Sequence, residues 1–393
     1  MRRGSRGSIR SPARVPKAFF GIMRIMDKRT NEMFPRRKTV QIRVGGVAIG
    51  AGAPISVQSM TKTDTRDVRA TAAEIRRLVR AGCEIVRLAI PDETAARAFA
   101  EIRKKSTIPL IADIHFHHRL ALLCLDGGAD GLRLNPGTIG PVRNVREVVR
   151  AAGERSVPIR IGVNSGSVEK DLLKAHGSAT PAAMVESALR HIRILEDLDF
   201  RSIKVSLKAS DVRRTVEAYR LLARKTSYPF HAGITEAGTL LPGAVKSAVG
   251  LALLLREGLA DTLRVSLTAR AEEEVRVAYG ILSAAGVRSR GPNVVSCPTC
   301  GRCEVDLRPI ALEVERRTAS WTSPMTLAVM GCPVNGPGEA RDADVGVACG
   351  RGVGVLFAKG KILRRIPEDR IASEVVREAE KLMAEKEIEN DPD

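Results

Sequence analysis

Aromatic residues make up only 3% of this 393-residue chain, which leaves little for stacking nucleobases. No apolar run approaches the roughly 18 residues that a membrane-spanning helix needs, so no membrane span is expected. Neither GxGxxG nor GxxxxGKS follows the first candidate strand, and the backbone cradles those motifs build for nucleotide phosphates are missing. Acidic residues are scarce at the start: the first 38 positions hold twelve Lys or Arg against Asp27 and Glu32, more than half of the formal charge of +19. That leader is Arg- and Ser-rich and lacks the apolar centre of a secretory signal. It reads as a disordered basic extension over residues 1–37, or as a start placed upstream of Met23, Met26 or Met33, with an organelle transit peptide as the alternative. Nucleic acid is not needed to explain the remaining positive charge, because a phosphate-ester ligand calls for the same excess.

From Pro54 onward one pattern repeats: a short β-branched run, then an amphipathic stretch of helical period. The runs begin at Pro54, Glu84, Pro109, Gly131, Pro158, Ser202, Pro229 and Asp261. Eight strands, each fed by a crossover helix, predict an α/β fold built on a parallel (β/α)₈ TIM barrel over residues 38–290, with an open doubly wound sheet as the competitor. The alternating, glycine-containing segment from Thr39 suits a hairpin plugging the barrel's N-terminal end. The pattern breaks after Val287, and residues 291–393 are expected to form a small α/β domain.

In such a barrel the reacting groups lie at the C-terminal ends of the strands. Those ends carry Gln58, Ser59 and Met60; Arg87, followed by Asp92; Asp113 and His115; Arg133 and Asn135; Arg160 and Asn164; Ser206 and Lys208; His231 and Glu236; Arg264 and Ser266. Four arginines and a lysine converging on one mouth repel each other unless an anion sits among them, and guanidinium forks match phosphate oxygens in pairs. A phosphate ligand of at least two charges follows. The competing reading pairs these cations with Asp92, Asp113 and Glu236 as structural networks, and leaves His117 and His118 on the surface.

Five of the seven cysteines fall between Cys297 and Cys349, which suits metal ligation in a reducing cytoplasm better than a disulfide framework. Cys83 and Cys124 stand apart and read as small buried hydrophobes. Cys297 and Cys300 form a CxxC turn, and Cys332 lies in a second, Gly/Pro-rich loop with Glu339 seven residues on. Cys303 extends the first element to CxxCxxC, an arrangement also seen in all-thiolate ferredoxins. An iron-sulfur cluster is favoured over zinc, since the second element lacks the paired ligands of a closed tetrahedral site. A barrel enzyme acting without reduction on a phosphate ester, with structural zinc in the small domain, is the second reading.

Taken together, QSMTKTDTRD, EIVRLAIPD, ADIHFHHRLAL, LRLNPGTIG, RIGVNSGS, ITEAGT, DTLRVSLT, SCPTCGR and MGCPVNGPGE resemble the bacterial 4-hydroxy-3-methylbut-2-en-1-yl diphosphate synthases, over about residues 38–365. The resemblance implies reductive ring opening of 2-C-methyl-D-erythritol 2,4-cyclodiphosphate in non-mevalonate isoprenoid biosynthesis, with electrons supplied singly by flavodoxin or ferredoxin. It implies a [4Fe-4S] cluster held by Cys297, Cys300, Cys332 and Glu339. Its substrate-binding pattern falls on Arg87, Asp113, His115, Arg133, Asn135, Arg160, Asn164, Lys208, Arg264 and Ser266, with Glu236 as proton donor or polar gate. It also implies a homodimer in which one subunit's cluster domain caps the other's barrel. The basic leader, the additional Cys303 and Cys349, and the His117–His118 pair depart from the pattern.

Overall fold

The computed structural model describes residues 35–390, apart from Asn335; most of the basic leader therefore lies outside the described residues. Strands β1 (Ile42–Val44) and β2 (Val47–Ile49) form an antiparallel hairpin. Its Ile42, Val44 and Ile49 pack on Ile85 and Ile111, so it plugs the bottom of the barrel as the glycine-containing alternation predicts. The barrel strands are β3 (Ser56–Met60), β4 (Ile85–Ala89), β5 (Leu110–Asp113), β6 (Gly131–Arg133), β7 (Ile159–Asn164), β8 (Ile203–Lys208), β9 (His231–Ala232) and β10 (Thr262–Leu263). They run parallel in the order β8-β7-β6-β5-β4-β3-β10-β9. A bridge between Val205 and Phe230 joins the two ends. A doubly wound sheet would reverse its strand order at a switch point and stay open; this one is sequential and closed.

The outer ring consists of α1 (Val68–Ala81), α2 (Glu93–Lys104), α3 (His118–Asp126), α4 (Val142–Glu154), α5 (Lys170–His176), α6 (Pro181–Glu196), α7 (Val212–Ala223), α8 (Leu240–Arg256) and α9 (Ala271–Ala284). In α1 the face carrying Thr71, Ala72, Ile75 and Leu78 is buried, as the 3.6-residue period requires. Asp67 caps its first turn through the Ala70 amide, and Gly82, at φ 97°, ends it in the left-handed conformation that a side chain would strain. Asp92 serves α2 in the same way and also pairs with Arg66 at 2.5 Å, so it is a structural cap. Cys83 and Cys124 are buried, and burial pushes both thiols up to about 12.

The small domain contains a five-stranded sheet ordered β11 (Pro292–Ser296), β12 (Met325–Met330), β13 (Val345–Gly350), β14 (Val353–Ala358) and β15 (Lys361–Pro367). The first three strands are parallel and the last two antiparallel. Helices α10 (Leu307–Thr318) and α12 (Ile371–Asn390) cover one face through Leu307, Val314, Ile371 and Val375, while α11 (Gly336–Asp342) sets Ala340 against Ala348 and Phe357 on the other. This domain joins the barrel at its N-terminal end. There Arg288 donates to the Ile55 carbonyl ahead of β3 at 2.9 Å and pairs with Glu84 ahead of β4 at 2.8 Å. A groove of about 840 Å³ separates the two bodies, lined by Arg80, Tyr279 and Arg290 on one side and Leu312, Arg316 and Trp321 on the other.

Candidate functional site

Side chains alternate along a strand, so each barrel strand presents every second residue inward. On β7 these are Arg160, Gly162 and Asn164; on β8, Lys204, Ser206 and Lys208. At the C-terminal end they surround a cavity of about 160 Å³ lined by Arg87, Asp113, His115, Arg133, Arg160, Gly162, Asn164, Ser206, Lys208, Thr235, Arg264 and Ser266. Of the ten expected substrate-binding residues and Glu236, nine line this cavity, and Asn135 and Glu236 do not.

Asp113 anchors the cationic cluster. Only 4% exposed, it lies 3.2 Å from Arg133 Nη1, 3.5 Å from Arg87 Nε and 3.5 Å from His115 Nε2. Burial by itself would raise its pKa, but the charge of Arg87, the hydrogen bond from His115 and the charges of Arg133 and Arg160 hold the carboxyl well below its usual range. The cations are pushed the other way. Burial lowers Arg87 to about 10 despite Asp113, and burial with the neighbouring guanidinium groups drives Arg160 and Lys208 well below their ordinary values. Asp113 and Glu274, the latter 3.7 Å from Arg264 Nη2, do not neutralise five cations, and the arrangement is poised for an anion.

Neutral and acidic neighbours set the orientation of these cations. Met60 Sδ accepts from Arg87 Nη2 at 2.9 Å, and Ser206 Oγ accepts from Arg160 Nη1 at 3.0 Å. Asn135 does not line the cavity. Its amide instead exchanges hydrogen bonds with the Gly162 backbone at 3.0 and 3.1 Å, and Arg133 Nη2 donates to the same carbonyl at 3.0 Å. A Cβ on Gly162 would come within 2.8 Å of Arg133 Nε, so glycine is what admits the guanidinium. Glu236 also stays outside the lining. It is exposed midway along the loop after β9 with φ +52°, and Thr235 beside it lines the cavity.

Glu274 was not among the residues expected here. At 2% exposed, it accepts from the Leu267 amide at 3.0 Å and from Ser59 Oγ at 3.2 Å, and it lies 3.7 Å from Arg264 Nη2. In the sequence it is one of three consecutive glutamates opening a helix, a pattern that reads as a solvated first turn.

The cysteines gather at the C-terminal edge of the small sheet. Cys297 Sγ accepts from the Gly331 amide at 3.3 Å. A Cβ on Gly331 would overlap Cys303 Sγ and lie 3.4 Å from Cys297 Sγ, so glycine before Cys332 lets the two cysteine loops meet. Cys349 is buried below them, and burial, with Cys303, Glu368 and Cys297 nearby, pushes its thiol up to about 12. Cys300 and Glu339 are exposed. Among the described residues no three His, Cys, Asp or Glu side chains converge into a finished metal cage. The donor set nonetheless fits a soft metal group: clustered sulfurs, a backbone amide directed at one of them, and glycine where a side chain would intrude.

Similarity to known proteins extends over both bodies. Residues 39–279 match the GcpE TIM-barrel domain and residues 293–381 match the GcpE protein C-terminal domain. The chain is 60% identical over 351 residues to the 4-hydroxy-3-methylbut-2-en-1-yl diphosphate synthase (flavodoxin) of Geobacter sulfurreducens, covering 89% of this chain and 99% of that one. It is 55% identical over 349 residues to the protein of the same name from Thermodesulfovibrio yellowstonii, covering 89% and 100%. Among solved structures it is similar to dihydropteroate synthase from Xanthomonas albilineans at 14% identity and a TM-score of 0.45, covering 63% and 99%. The motifs distributed along both domains and the full-length matches agree: the chain belongs to the GcpE family of 4-hydroxy-3-methylbut-2-en-1-yl diphosphate synthases.

Proposed function

We propose that the protein reductively opens 2-C-methyl-D-erythritol 2,4-cyclodiphosphate to the linear hydroxymethylbutenyl diphosphate of isoprenoid biosynthesis. The observation that carries this reading is the barrel mouth, where Arg87, Arg133, Arg160, Lys208 and Arg264 surround one cavity with Asp113 as its lining carboxylate. A cyclic diphosphate brings two negative charges on a compact, hydroxylated frame. Arg133 and Arg160 would grip phosphate oxygens through paired N–H donors, and Lys208 would add a point charge from the β8 side. Asn164, Ser266 and Thr235 supply neutral polar contacts, and Asp113 keeps Arg87 and Arg133 oriented before the ligand arrives.

Cys297, Cys300 and Cys332 with Glu339 would hold a [4Fe-4S] cluster, which supplies single electrons and, at the carboxylate-ligated iron, an exchangeable position for a substrate oxygen. Flavodoxin, named for the relatives, or a ferredoxin is the proposed donor. Cys303 lies close enough to Cys297 to act as a rival fourth ligand.

The position of the small domain favours a homodimer. Helix α10 starts with Leu307 against Gly331 in the cysteine region and ends at Thr318 in the groove beside the barrel. Twelve helical residues at about 1.5 Å each place the cysteines about 18 Å beyond that groove. The groove itself is at the N-terminal end of the barrel and the mouth is at the other. In this arrangement a chain's own cysteines would lie away from its own mouth, and a second copy would supply them.

The test is anaerobic purification with iron and sulfide analysis, followed by turnover of the cyclodiphosphate with reduced viologen. About four irons per chain, turnover retained in Cys303→Ala and lost in Glu339→Ala are the expected results. A colourless, iron-free protein, or one whose zinc survives chelation, would favour a non-reductive phosphate-ester enzyme instead.

A further inference from the structure

Below the mouth and above the hairpin plug, the barrel interior divides into two halves. On the β4–β6 side it is apolar, with Ile85, Ile111 and Gly131 packed on the plug. On the other side it is polar. Ser56, Gln58, Lys204 and His231 are at most 2% exposed. Lys204 Nζ, both ring nitrogens of His231, both amide atoms of Gln58 and Ser56 Oγ have no protein partner.

These residues share one neighbourhood. Lys204 is the register partner of Arg160 on β7, β10 pairs with both Ser56 and His231 through Thr262, and the closing bridge sets β8 beside β9. Leaving so many polar atoms dry would cost about 1–3 kcal/mol each, so the layer favours internal water over a dry core. A reading of the strand ends names Gln58 and His231 but not Ser56 and Lys204, which lie deeper on β3 and β8.

We propose that Lys204 is an inner proton acceptor for the site: through this wet layer it takes up one proton when the dianionic substrate binds above it. The inference rests on the cyclodiphosphate reading of the mouth. In the step, one proton leaves the medium and bonds to the Lys204 Nζ lone pair, so the positive charge of the barrel rises by one as two negative charges enter.

The charges that face Lys204 are Arg160 on β7, Arg87 on β4 and Asp261 just before β10. His231 faces it from β9 and is kept neutral by burial and by Lys208, Arg160 and Lys204. Asp261 does not supply a close counter-ion. Its oxygens are taken by the Phe230 amide at 2.8 Å, Arg36 at 3.0 Å and Thr39 Oγ1 at 3.2 Å. Burial, then Arg160 and Arg87, bring Lys204 down to about 7. An anion on those arginines offsets their repulsion, so binding raises the proton affinity of Lys204, and linkage makes the uptake a property of binding itself. The ligand cannot be the proton's destination, because both phosphates of a cyclic diphosphate are esterified and stay singly ionised through neutrality.

The experiment is calorimetric titration of the whole protein with the cyclodiphosphate in buffers of different ionisation enthalpy, from about pH 6 to about pH 8. Wild type should take up most of a proton at the upper end and little at the lower, where Lys204 is already charged. Lys204→Met should take up clearly less than wild type, any remainder belonging to Lys208, whose proton affinity the same guanidinium groups lower. Equal uptake in Lys204→Met, or wild-type binding at about pH 8 without uptake, would overturn the proposal while leaving the substrate reading intact. Failure of wild type to bind would overturn both. If Lys204→Met does not fold, Lys204→Arg decides, because a guanidinium stays charged throughout this range: uptake equal to wild type in that variant refutes the proposal.

Discussion

Replacing Asp113 by Asn tests whether one buried carboxylate organises the mouth. The substitution keeps the shape and removes the charge that Arg87, Arg133 and His115 share at 3.2 to 3.5 Å. Removing one partner of a buried pair strands the other, at a cost of about 3–5 kcal/mol. In a chain with a barrel of this size, each kcal/mol lowers Tm by about 2–4 °C, so a drop of roughly 6–20 °C is expected at neutral pH. The pH course is a second signature. The folded pKa of Asp113 is depressed, so its contribution is fully present above the unfolded value of about 3.9 and is lost as pH falls through the lower folded value. The difference between wild type and Asp113→Asn should therefore stay constant from about pH 8 to about pH 5 and shrink only below about pH 4. Calorimetric melting across that range is the assay. A Tm change under about 2 °C at neutral pH, or a difference that collapses near neutrality, would show that Asp113 does not hold the arginines.

Glu274→Gln leaves Arg264 without its buried carboxylate and disturbs the Ser59 and Leu267 contacts; kcat/KM for the cyclodiphosphate should fall about 10²-fold, the scale of an ångström-size misplacement, and an unchanged value would remove Glu274 from the site. Gly331→Ala forces a methyl onto Cys303 Sγ, and anaerobically purified variant should carry markedly less iron than wild type; full iron content would show that the two loops need no close approach. Combining Gly331→Ala with Cys303→Ala should restore iron, because the overlapping sulfur is gone, and failure of that rescue would place the clash elsewhere.

How much was legible depended on the kind of signal. Strand number and closure followed from eight β-branched runs separated by helical period, and the cysteine motifs stood out because Cys297, Cys300 and Cys332 sit in Gly/Pro-rich turns. Glu236 was named as a strand-end group and, from the resemblance, as proton donor or polar gate; it lies exposed in the loop after β9 with a left-handed backbone, a placement invisible in composition. Lys204 was legible in principle, since it shares the alternation of Ser206 and Lys208. A lysine at the second position of a strand ordinarily marks an exposed edge, and only the closed barrel turns that position inward.

The sequence by itself determined the local choices: strand and helix periods, capping residues such as Asp67 and Asp92, the supply of cations at the strand ends and of sulfurs in two turns. These depend on backbone propensity and on neighbours a few residues away. Tertiary structure decided which charges share a cavity, that Asn135 buttresses Gly162 while Glu274 steadies Arg264, and that the small domain lies at the end of the barrel opposite its mouth. Those outcomes depend on strand stagger and on residues far apart in the chain, such as Ser59 and Glu274, separated by 215 positions, and such contacts exist only once the barrel has closed.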